Sequence, residues 1–349
     1  MDNQEQAVIP QTTRKLASIR RVDAIHPIPG ADFIVAAEFG YWKCVAKKDE
    51  FSVGDLAVYF EIDSFLPLSD NRYSFLSKEA RTYLGKEGVR LKTRKFKGQI
   101  SQGLVLPVTL FPEIENPVEE MDVTEILGIS KWEAPEEFLP ANAAGSFPSF
   151  IRKTDEPRIQ NIRRQFEDAV QSGELFEVTE KIHGTSLTVY YLDGKVGVCS
   201  RNLELKTDQD SSYVVAAKSS GLWTALESLK LNVAVQAELY GEGINGNTKN
   251  IKGQRVAIFK IFNIFDGQYF TPEGRYILLR SLYEKGYTGE HVQILHPGTA
   301  LVGDFESFQS MQDYLEANPD IVEGLVFKSL SNPDFSFKVI SNKFLLKER

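Results

Sequence analysis

Residues 175–200 read LFEVTEKIHGTSLTVYYLDGKVGVCS, and this stretch decides the fold of the second half of the chain. Apolar and polar side chains alternate over Phe176–Glu180, which indicates a β-strand. Two further strand patterns, Leu187–Leu192 and Lys195–Ser200, are separated only by Asp193-Gly194. Asp-Gly between such patterns is a strong signal for a two-residue hairpin, because both turn positions need a positive φ.

The hairpin turn also predicts the register of its two strands. If Leu192 faces Lys195, the same pairing carried towards the open end places Arg201 opposite Ser186. Arg201 would then lie beside the turn that follows Lys181. A strand-end arginine facing solvent is the simpler alternative for this position.

The rest of the second half mixes helices and strands. Helical periodicity covers 211–230 and 272–285, the latter with Thr271 as N-cap and Pro272 in the first turn. A turn near Asn332-Pro333-Asp334 would fold the chain back and bring Lys338 roughly opposite Val326. Further strands are predicted at 233–240, 255–265, 321–330 and 335–341.

The first part of the chain is predicted to be all-β. Short β-rich segments separated by turn signals are typical of a small barrel, and residues 25–67 resemble OB domains of the tRNA-binding and ligase-associated type. Residues 131–148, rich in Ala, Pro and Glu, are predicted to be a linker between domains at 1–130 and 149–349. The expected fold class is α+β, with an N-terminal OB-like barrel and a domain of antiparallel sheets with flanking helices.

The composition restricts the functional classes. The chain has 349 residues, 42% hydrophobic and 25% charged, which is typical of a soluble globular protein. No apolar run reaches about 18 residues, so we expect no membrane span, and the polar N-terminus lacks a secretory signal. The only two cysteines, Cys44 and Cys199, indicate an intracellular protein, cytoplasmic or nuclear. Because the net charge is −8, a nucleic acid would need a local basic patch.

Glu180-Lys181-Ile182-His183-Gly184 is the segment with the clearest chemical content. A lysine amine is a nucleophile only when unprotonated, which needs burial or nearby cations that lower its pKa. The glycine would let the backbone approach a nucleotide phosphate closely. Alone, the pattern is short, and a surface lysine before a turn would explain it.

The motifs that follow Lys181 resemble, in order, those of the covalent nucleotidyltransferases: DNA ligases, RNA ligases and mRNA-capping enzymes. Lys181 with Gly184 resembles the nucleophile motif K-x-D/H-G, and His183 makes it similar to nick-sealing RNA ligases. Five further matches come in the family's order: Ser200-Arg201, Ala237–Gly241, Phe262, Glu323–Val326 and Lys338. The resemblance covers about residues 147–347.

The resemblance implies an ATP-dependent RNA ligase that joins 3′-hydroxyl and 5′-phosphate ends, as in RNA repair. Lys181 would form a lysyl-AMP, with Lys338 and Arg201 as further catalytic residues. Mg²⁺ or Mn²⁺ would be held by Glu238 and Glu323 through water, although both could be solvated strand ends. ATP would be bound by Glu180, Lys181, Ile182, Arg201, Glu238, Phe262, Glu323, Lys338 and Arg158.

Several positions leave alternatives open. Arg152 rivals Arg158 as the residue that orients pyrophosphate, and a capped helix start at Thr154-Asp155 would explain the same segment. Phe262, expected to stack on adenine, could be an ordinary core residue. Ile340 replaces the second lysine of the K-x-K motif, so one phosphate contact is either missing or supplied by another cation such as Lys328 or Lys343.

The front position of the OB-like domain is similar to the Deinococcus/Naegleria type of RNA ligase. Five cations, Arg90, Lys92, Arg94, Lys95 and Lys97, lie within eight residues of it. Strand alternation would put Arg90, Lys92 and Arg94 on one face that binds RNA, and a solvated edge strand is the alternative. We expect no obligate protein partner.

Three other functions compete with RNA ligation. An mRNA-capping guanylyltransferase would use GTP in place of ATP, and a DNA ligase would seal DNA. A non-catalytic OB-fold protein would bind nucleic acid without any covalent step. Covalent labelling with a particular α-labelled nucleotide separates the first and third of these from an RNA ligase.

Overall fold

The computed structural model describes residues 14–133 and 142–347. These residues form two compact units, which we call the first unit (14–133 with 342–347) and the second unit (142–341). Within the described residues, no helix has the length and apolar character needed to cross a membrane. Residues 134–141 of the predicted linker lie outside the described residues.

The regular structure of the first unit consists mainly of short strands, as predicted. Its hydrogen-bonded strand orders are β1-β5-β11, β2-β3-β4, β9-β10 and β12-β6-β8-β7. Short 3₁₀ helices span Asn71–Glu79 and Val108–Leu110. The strands are β1 (Ala17–Arg21), β2 (Ala24–Pro27), β3 (Ile34–Phe39), β4 (Trp42–Lys47), β5 (Leu56–Phe60), β6 (Ser64–Pro67), β7 (Arg81–Tyr83), β8 (Lys86–Arg90), β9 (Thr93–Phe96), β10 (Gln99–Gln102), β11 (Leu104–Pro107) and β12 (Ser130–Lys131).

The central strand of the first unit is buried on both faces. Val58 and Phe60 of β5 belong to one core cluster, whereas Ala57 and Tyr59 belong to another. Because successive side chains of a strand point to opposite faces, the apolar run LAVYF fills two layers at once. This packing explains why β5 reads as continuously apolar rather than alternating.

The basic run of the first unit is not one strand, so the predicted alternation over Arg90, Lys92 and Arg94 is wrong. β8 ends at Arg90 and β9 begins at Thr93, and the two strands belong to different sheets. Arg90 is 10% exposed and lies 2.7 Å from Asp63, while Arg94 pairs with Glu79. Two of the five cations are therefore neutralised within the unit.

The second unit contains two antiparallel sheets. One has the order β13-β17-β16-β15-β18-β19-β20, with β21 parallel to β19, and the other has the order β22-β14-β23-β24. Helices α2, α3 and α4 share a core cluster with the first of these sheets. The elements in chain order are β13 (Ala143–Ser146), α1 (Arg163–Ser172), β14 (Leu175–Lys181), β15 (Thr185–Leu192), β16 (Lys195–Cys199), β17 (Leu203–Leu205), α2 (Ser212–Ser219), α3 (Leu222–Leu229), β18 (Val233–Gly241), β19 (Gln254–Asn263), β20 (Gln268–Tyr269), α4 (Pro272–Glu284), β21 (Glu290–His291), β22 (Ile294–Ala300), α5 (Phe308–Ala317), β23 (Gly324–Ser329) and β24 (Ser336–Ile340).

Several sequence predictions for the second unit are confirmed. Leu192 pairs with Lys195 across the predicted hairpin, and Lys338 pairs with Val326. The Thr271 side chain accepts a hydrogen bond from the Gly274 amide at the start of α4. The predicted helix at 211–230 is interrupted at Gly221, whose φ of 74° separates α2 from α3.

Two segments differ from the sequence predictions. Ala143–Ser146, which we placed in the linker, pairs with β17 as strand β13. The last helix, α6 (Asn342–Lys347), belongs to the first unit, where the Gln102 side-chain amide donates to Asn342 at 2.9 Å. Neither segment has a side-chain periodicity from which its strand or helix could have been predicted.

Candidate active site

The Lys181 amine lies against a carboxylate at the ends of two paired strands. Lys181 is the last residue of β14 and pairs with Gly324, the first residue of β23. Glu323, directly before Gly324, therefore lies beside the lysine, with Oε1 2.7 Å from Nζ. His183 Nδ1 lies 3.4 Å from the other oxygen of the same carboxylate. The structure thus joins two motifs that are 142 residues apart in the sequence.

Gly184 lets the turn after Lys181 pack against strand β18. A Cβ at this position would lie 2.3 Å from the Leu239 carbonyl oxygen and 2.9 Å from Glu238 Cγ. The Asn245 side-chain amide donates a hydrogen bond to the Gly184 carbonyl from the loop after β18. Packing within the protein therefore requires glycine at position 184, because a side chain there would collide with Leu239 and Glu238. The approach of a phosphate would be a second reason for the glycine.

Glu238 supplies the second carboxylate near Lys181. It lies in β18 between Ser186 of β15 and Ala257 of β19. Burial raises the pKa of the Glu238 carboxyl to about 7, and the neighbouring Glu323 carboxylate adds to this, against the opposing effect of Lys181. Glu238 is therefore more easily protonated than an ordinary glutamate, and Lys181 favours its charged form.

The same carboxylates control the charge of the Lys181 amine. Burial alone would lower its pKa, but the carboxylates of Glu323 and Glu238 outweigh burial and hold the pKa above its usual range. The pKa of Glu323 is conversely lowered, because Lys181 and His183 overcome its burial. The amine of this arrangement is protonated, so its use as a nucleophile requires a change in the surrounding charge.

One carboxylate holds two of the predicted catalytic cations together. Asp155 Oδ1 lies 3.2 Å from Lys338 Nζ, and Asp155 Oδ2 lies 3.6 Å from Arg201. The strand pairing of β15 with β16 ends at Thr188 and Cys199, so the predicted extension of this pairing to Ser186 and Arg201 is wrong. Arg201 reaches this position from the bend after β16. Asp155 was not a predicted site residue beyond its part in a capped helix start.

A buried ionic network lies next to these residues and was missed by the sequence reasoning. Lys260 Nζ lies 2.7 Å from Glu156 and donates to Ser336 at 2.9 Å. Lys328, one of the two proposed substitutes for the missing lysine, lies 3.6 Å from Glu177. Lys260, Ser336, Lys328 and Glu177 lie on four different strands, and Glu156 lies in the segment before Arg158, so no local pattern of the sequence joins them.

The predicted ATP-binding residues Phe262, Ile182 and Glu180 occupy different environments. Phe262 is fully buried, with its ring 5.3 Å from that of Tyr269. Ile182 belongs to a separate apolar cluster, against which the half-buried Phe259 packs. Glu180 is also buried and pairs with Lys249 of the loop after β18.

The two rival arginines lie in different places. Arg158 is buried and forms an isolated parallel bridge with Lys338, whose amide donates to the Pro157 carbonyl at 2.8 Å. Arg152 instead pairs with Asp334. Ile340, where the family has its second lysine, is a buried position opposite Gly324.

The donor set suits a hydrated divalent cation better than a fully protein-bound one. No group of three or more His, Cys, Asp or Glu side chains in the described residues is arranged to hold a metal ion. Mg²⁺ commonly keeps several waters and uses only one or two carboxylates. Glu238 and Glu323, which both act on Lys181, would supply those two carboxylates.

Comparison with known proteins shows matches over both units. A family model described as an OB-fold domain matches residues 16–108, and one described as RNA ligase matches residues 174–340. A search of curated proteins returned no match.

Several solved structures of the RNA ligase of Naegleria gruberi are similar over nearly the whole chain. A mutant form with AMP and Mn is 43% identical, with a TM-score of 0.85, over 96% of this chain and 99% of that one. A mutant form with ATP and Mn is 41% identical, with a TM-score of 0.85, over 95% and 99% of the two chains. The form with PPi is 43% identical, with a TM-score of 0.85, over 96% and 99%.

These matches confirm the predicted fold class, with an OB-fold domain followed by a ligase domain of antiparallel sheets and helices. The ordered motifs, the pairing of Lys181 with Glu323 and the identity over almost the full length agree. The chain belongs to the RNA ligase family and is an RNA ligase with an N-terminal OB-fold domain.

Proposed function

We propose that this RNA ligase is ATP-dependent and works through a covalent lysyl-AMP at Lys181. The contact between the Lys181 amine and Glu323, with Glu238 close enough to influence both, carries the proposal. The Naegleria gruberi structures with ATP and with AMP support the choice of nucleotide. Lys181 Nζ would bond to the α-phosphorus of ATP as the bond to pyrophosphate breaks, and the amine would lose its proton.

Lys338 and Arg201 are proposed to bind one phosphate together. Asp155 lies within 3.2 Å of Lys338 and 3.6 Å of Arg201, so both side chains are able to contact a single anion. A nucleotide phosphate would take the place of that carboxylate. In-line displacement at phosphorus depends mainly on alignment and charge neutralisation, which two converging cations provide. Arg158, next to Lys338, is proposed to orient the pyrophosphate.

Glu238 and Glu323 are proposed to hold Mg²⁺ or Mn²⁺ through water. When bound there, the ion would supply positive charge to the reacting phosphate and offset the two carboxylates that keep Lys181 protonated. The manganese of the Naegleria gruberi structures supports a divalent ion. Glu180, Ile182 and Phe262 complete the proposed nucleotide site, although Phe262 would need a movement of its neighbours to expose a face.

After the first step, AMP would pass from Lys181 to the 5′-phosphate of an RNA end. A 3′-hydroxyl would then attack this activated phosphate, and AMP would leave. Only the first step uses the lysine as a nucleophile, whereas the cations serve all three. The first unit, which contains most of the proposed domain 1–130, would bind RNA, and the second unit, which contains most of the proposed domain 149–349, would carry the chemistry.

Two details of the setting are proposed as well. The free and buried Cys44 and Cys199 suit a reducing intracellular compartment, cytoplasmic or nuclear. A ligase that joins 3′-hydroxyl and 5′-phosphate ends suits RNA repair. No obligate protein partner is needed for the three steps.

Covalent labelling tests the proposal most directly. The purified protein is incubated with α-labelled ATP or α-labelled GTP and Mn²⁺, then denatured and examined for bound label. Label from ATP, absent in Lys181→Ala, is the expected result, and label from GTP would indicate a guanylyltransferase. A panel of nicks with RNA or DNA on either side of the junction then defines the substrate, and sealing of all-DNA nicks alone would contradict an RNA substrate.

A further inference from the structure

The tip of the β7–β8 hairpin in the first unit carries an unusual residue. Leu84 and Gly85 form its two-residue turn, with φ values of 48° and 75°. Such a turn favours Asn-Gly, because a leucine in the left-handed region brings its Cβ too close to the backbone. The Leu84 side chain is nevertheless 77% exposed. Turn geometry disfavours this leucine, and burial does not require it, so a different function would explain it.

The two faces of this hairpin differ in charge. Tyr83 pairs with Lys86, and Arg81 is two residues before Tyr83, so these three side chains share one face. Thr82 pairs with Glu87, which places that carboxylate on the opposite face. We call the face with Arg81, Tyr83 and Lys86, together with the tip residue Leu84, the hairpin face.

Aromatic rings pack against the Arg81 and Tyr83 side chains of the hairpin face. The Trp132 ring lies 4.6 Å from that of Tyr83, and the Arg81 guanidinium lies over Trp132 at 5.2 Å. Phe65 packs 5.3 Å from Tyr83, and its ring lies where a Cβ of Gly88 would stand, 2.5 Å away. The ring stack fixes Arg81 and the hairpin in place while the tip extends beyond it.

We propose that the hairpin face binds an RNA duplex, with Leu84 in the minor groove and Arg81 and Lys86 on the flanking phosphates. The minor groove of A-form RNA is wide and shallow, which suits a protruding tip, and apolar side chains are known to enter the minor groove of DNA. Arg81 and Lys86 are exposed cations on the same face and complement a polyanion, whereas Glu87 of the hairpin points away. Glu133, next to Tyr83, is paired with Lys131. This inference rests on the proposed function, because it names a surface that contacts the RNA to be sealed.

The variant Leu84→Asn separates binding from folding. Asparagine suits the positive φ better than leucine, so the melting temperature should stay the same or rise. The affinity for a nicked RNA duplex, measured by fluorescence anisotropy without ATP, should fall about five- to tenfold. Arg81→Ala should weaken binding by a similar factor and reduce its salt dependence. Val53→Asn, at another exposed apolar position of the same unit, is the matched control and should bind like the wild type.

The outcomes distinguish this inference from the proposed function. Self-adenylylation with ATP alone is measured in the same preparations as a reference that involves no RNA. If the wild type takes up no AMP, the proposed function fails. If the wild type takes up AMP and Leu84→Asn binds the duplex as tightly as the wild type, only the hairpin inference fails. A loss confined to single-stranded RNA would also overturn it, because the duplex would not be the ligand.

Discussion

Lys181 and Glu323 face each other at the ends of strands β14 and β23, with Nζ 2.7 Å from Oε1. The pair arises because Lys181 is hydrogen-bonded in register with Gly324, which no larger residue could replace: a Cβ there would lie 2.1 Å from the Val339 carbonyl oxygen. The Glu323 carboxylate holds the Lys181 amine in place and raises its pKa, so the amine stays protonated unless bound cations offset the carboxylates. Activation of Lys181 as the proposed nucleophile would therefore be coupled to binding of ATP and its cation.

Lys181→Ala should abolish self-adenylylation while leaving some sealing of a nick that already carries the 5′-adenylate. Only the first step needs the amine as a nucleophile. Lys181→Arg is the matched variant, because it keeps a cation beside Glu323 but cannot lose its proton. Labelling with α-labelled ATP and sealing of a pre-adenylylated nick measure the two activities. Retention of a covalent AMP adduct by either variant after denaturation would place the nucleophile elsewhere.

Glu323→Gln and Glu238→Gln should each reduce metal-dependent self-adenylylation by about two orders of magnitude or more, as is usual when charge stabilisation at a reacting group is lost. Glutamine preserves the side-chain shape and removes only the charge. The rate is measured over a range of Mn²⁺ concentrations. Glu242→Gln, an exposed carboxylate after β18, is the control, and an equal loss there would argue against a specific metal site.

Lys338→Ala and Asp155→Asn should change ATP binding in opposite directions. The first removes a cation proposed to hold the nucleotide phosphate, so the apparent Kd for ATP should rise. The second removes the carboxylate that occupies Lys338 and Arg201 in this structure, so the Kd should fall severalfold. Equilibrium binding with a non-hydrolysable ATP analogue measures both. Weaker binding by Asp155→Asn would show that this carboxylate supports the bound state.

Local sequence patterns predicted the strand registers around the site better than the ion pairs between its side chains. The Asp193-Gly194 turn fixed the β15–β16 register, and the turn near Pro333 placed Lys338 opposite Val326. Alternation failed for the basic run, because β8 ends at Arg90 and a new strand begins at Thr93. Pairings such as that of Asp155 with Lys338 join segments 183 residues apart, which no local periodicity can reveal.

The basic run should now be tested at its exposed residues. Lys95 and Lys97 lie exposed around the two-residue turn of the β9–β10 hairpin, whereas Arg90 is held by Asp63. Lys95→Ala with Lys97→Ala should weaken binding of nicked RNA and lower the slope of log K against log salt by about one for each phosphate that is no longer neutralised. The exposed Lys48→Ala is the control, and an unchanged slope in the double variant would mean that the hairpin is only solvated.

Lys328 should make the stability of the second unit depend on pH in the alkaline range. Burial, aided by the nearby Arg275 and only partly opposed by Glu177, lowers the pKa of the Lys328 amine to about 7. In the unfolded chain the amine keeps its proton to about pH 10.4. Between these values the unfolded state binds more protons, so the free energy of unfolding should rise with pH from about 7 to about 10, by at most about 1.4 kcal/mol per pH unit.

Lys328→Met tests this dependence, because methionine fills a similar volume without a titrating group. Chemical denaturation of wild type and variant across the pH range gives the difference in unfolding free energy. The unfolding free energy of the wild type should rise relative to that of Lys328→Met as the pH increases above 7, since the buried amine is then no longer charged. Lys195→Met, at an exposed position of β16, should show no such trend. A constant difference for Lys328→Met would show that Glu177 keeps the buried amine charged throughout, with its pKa near the usual value.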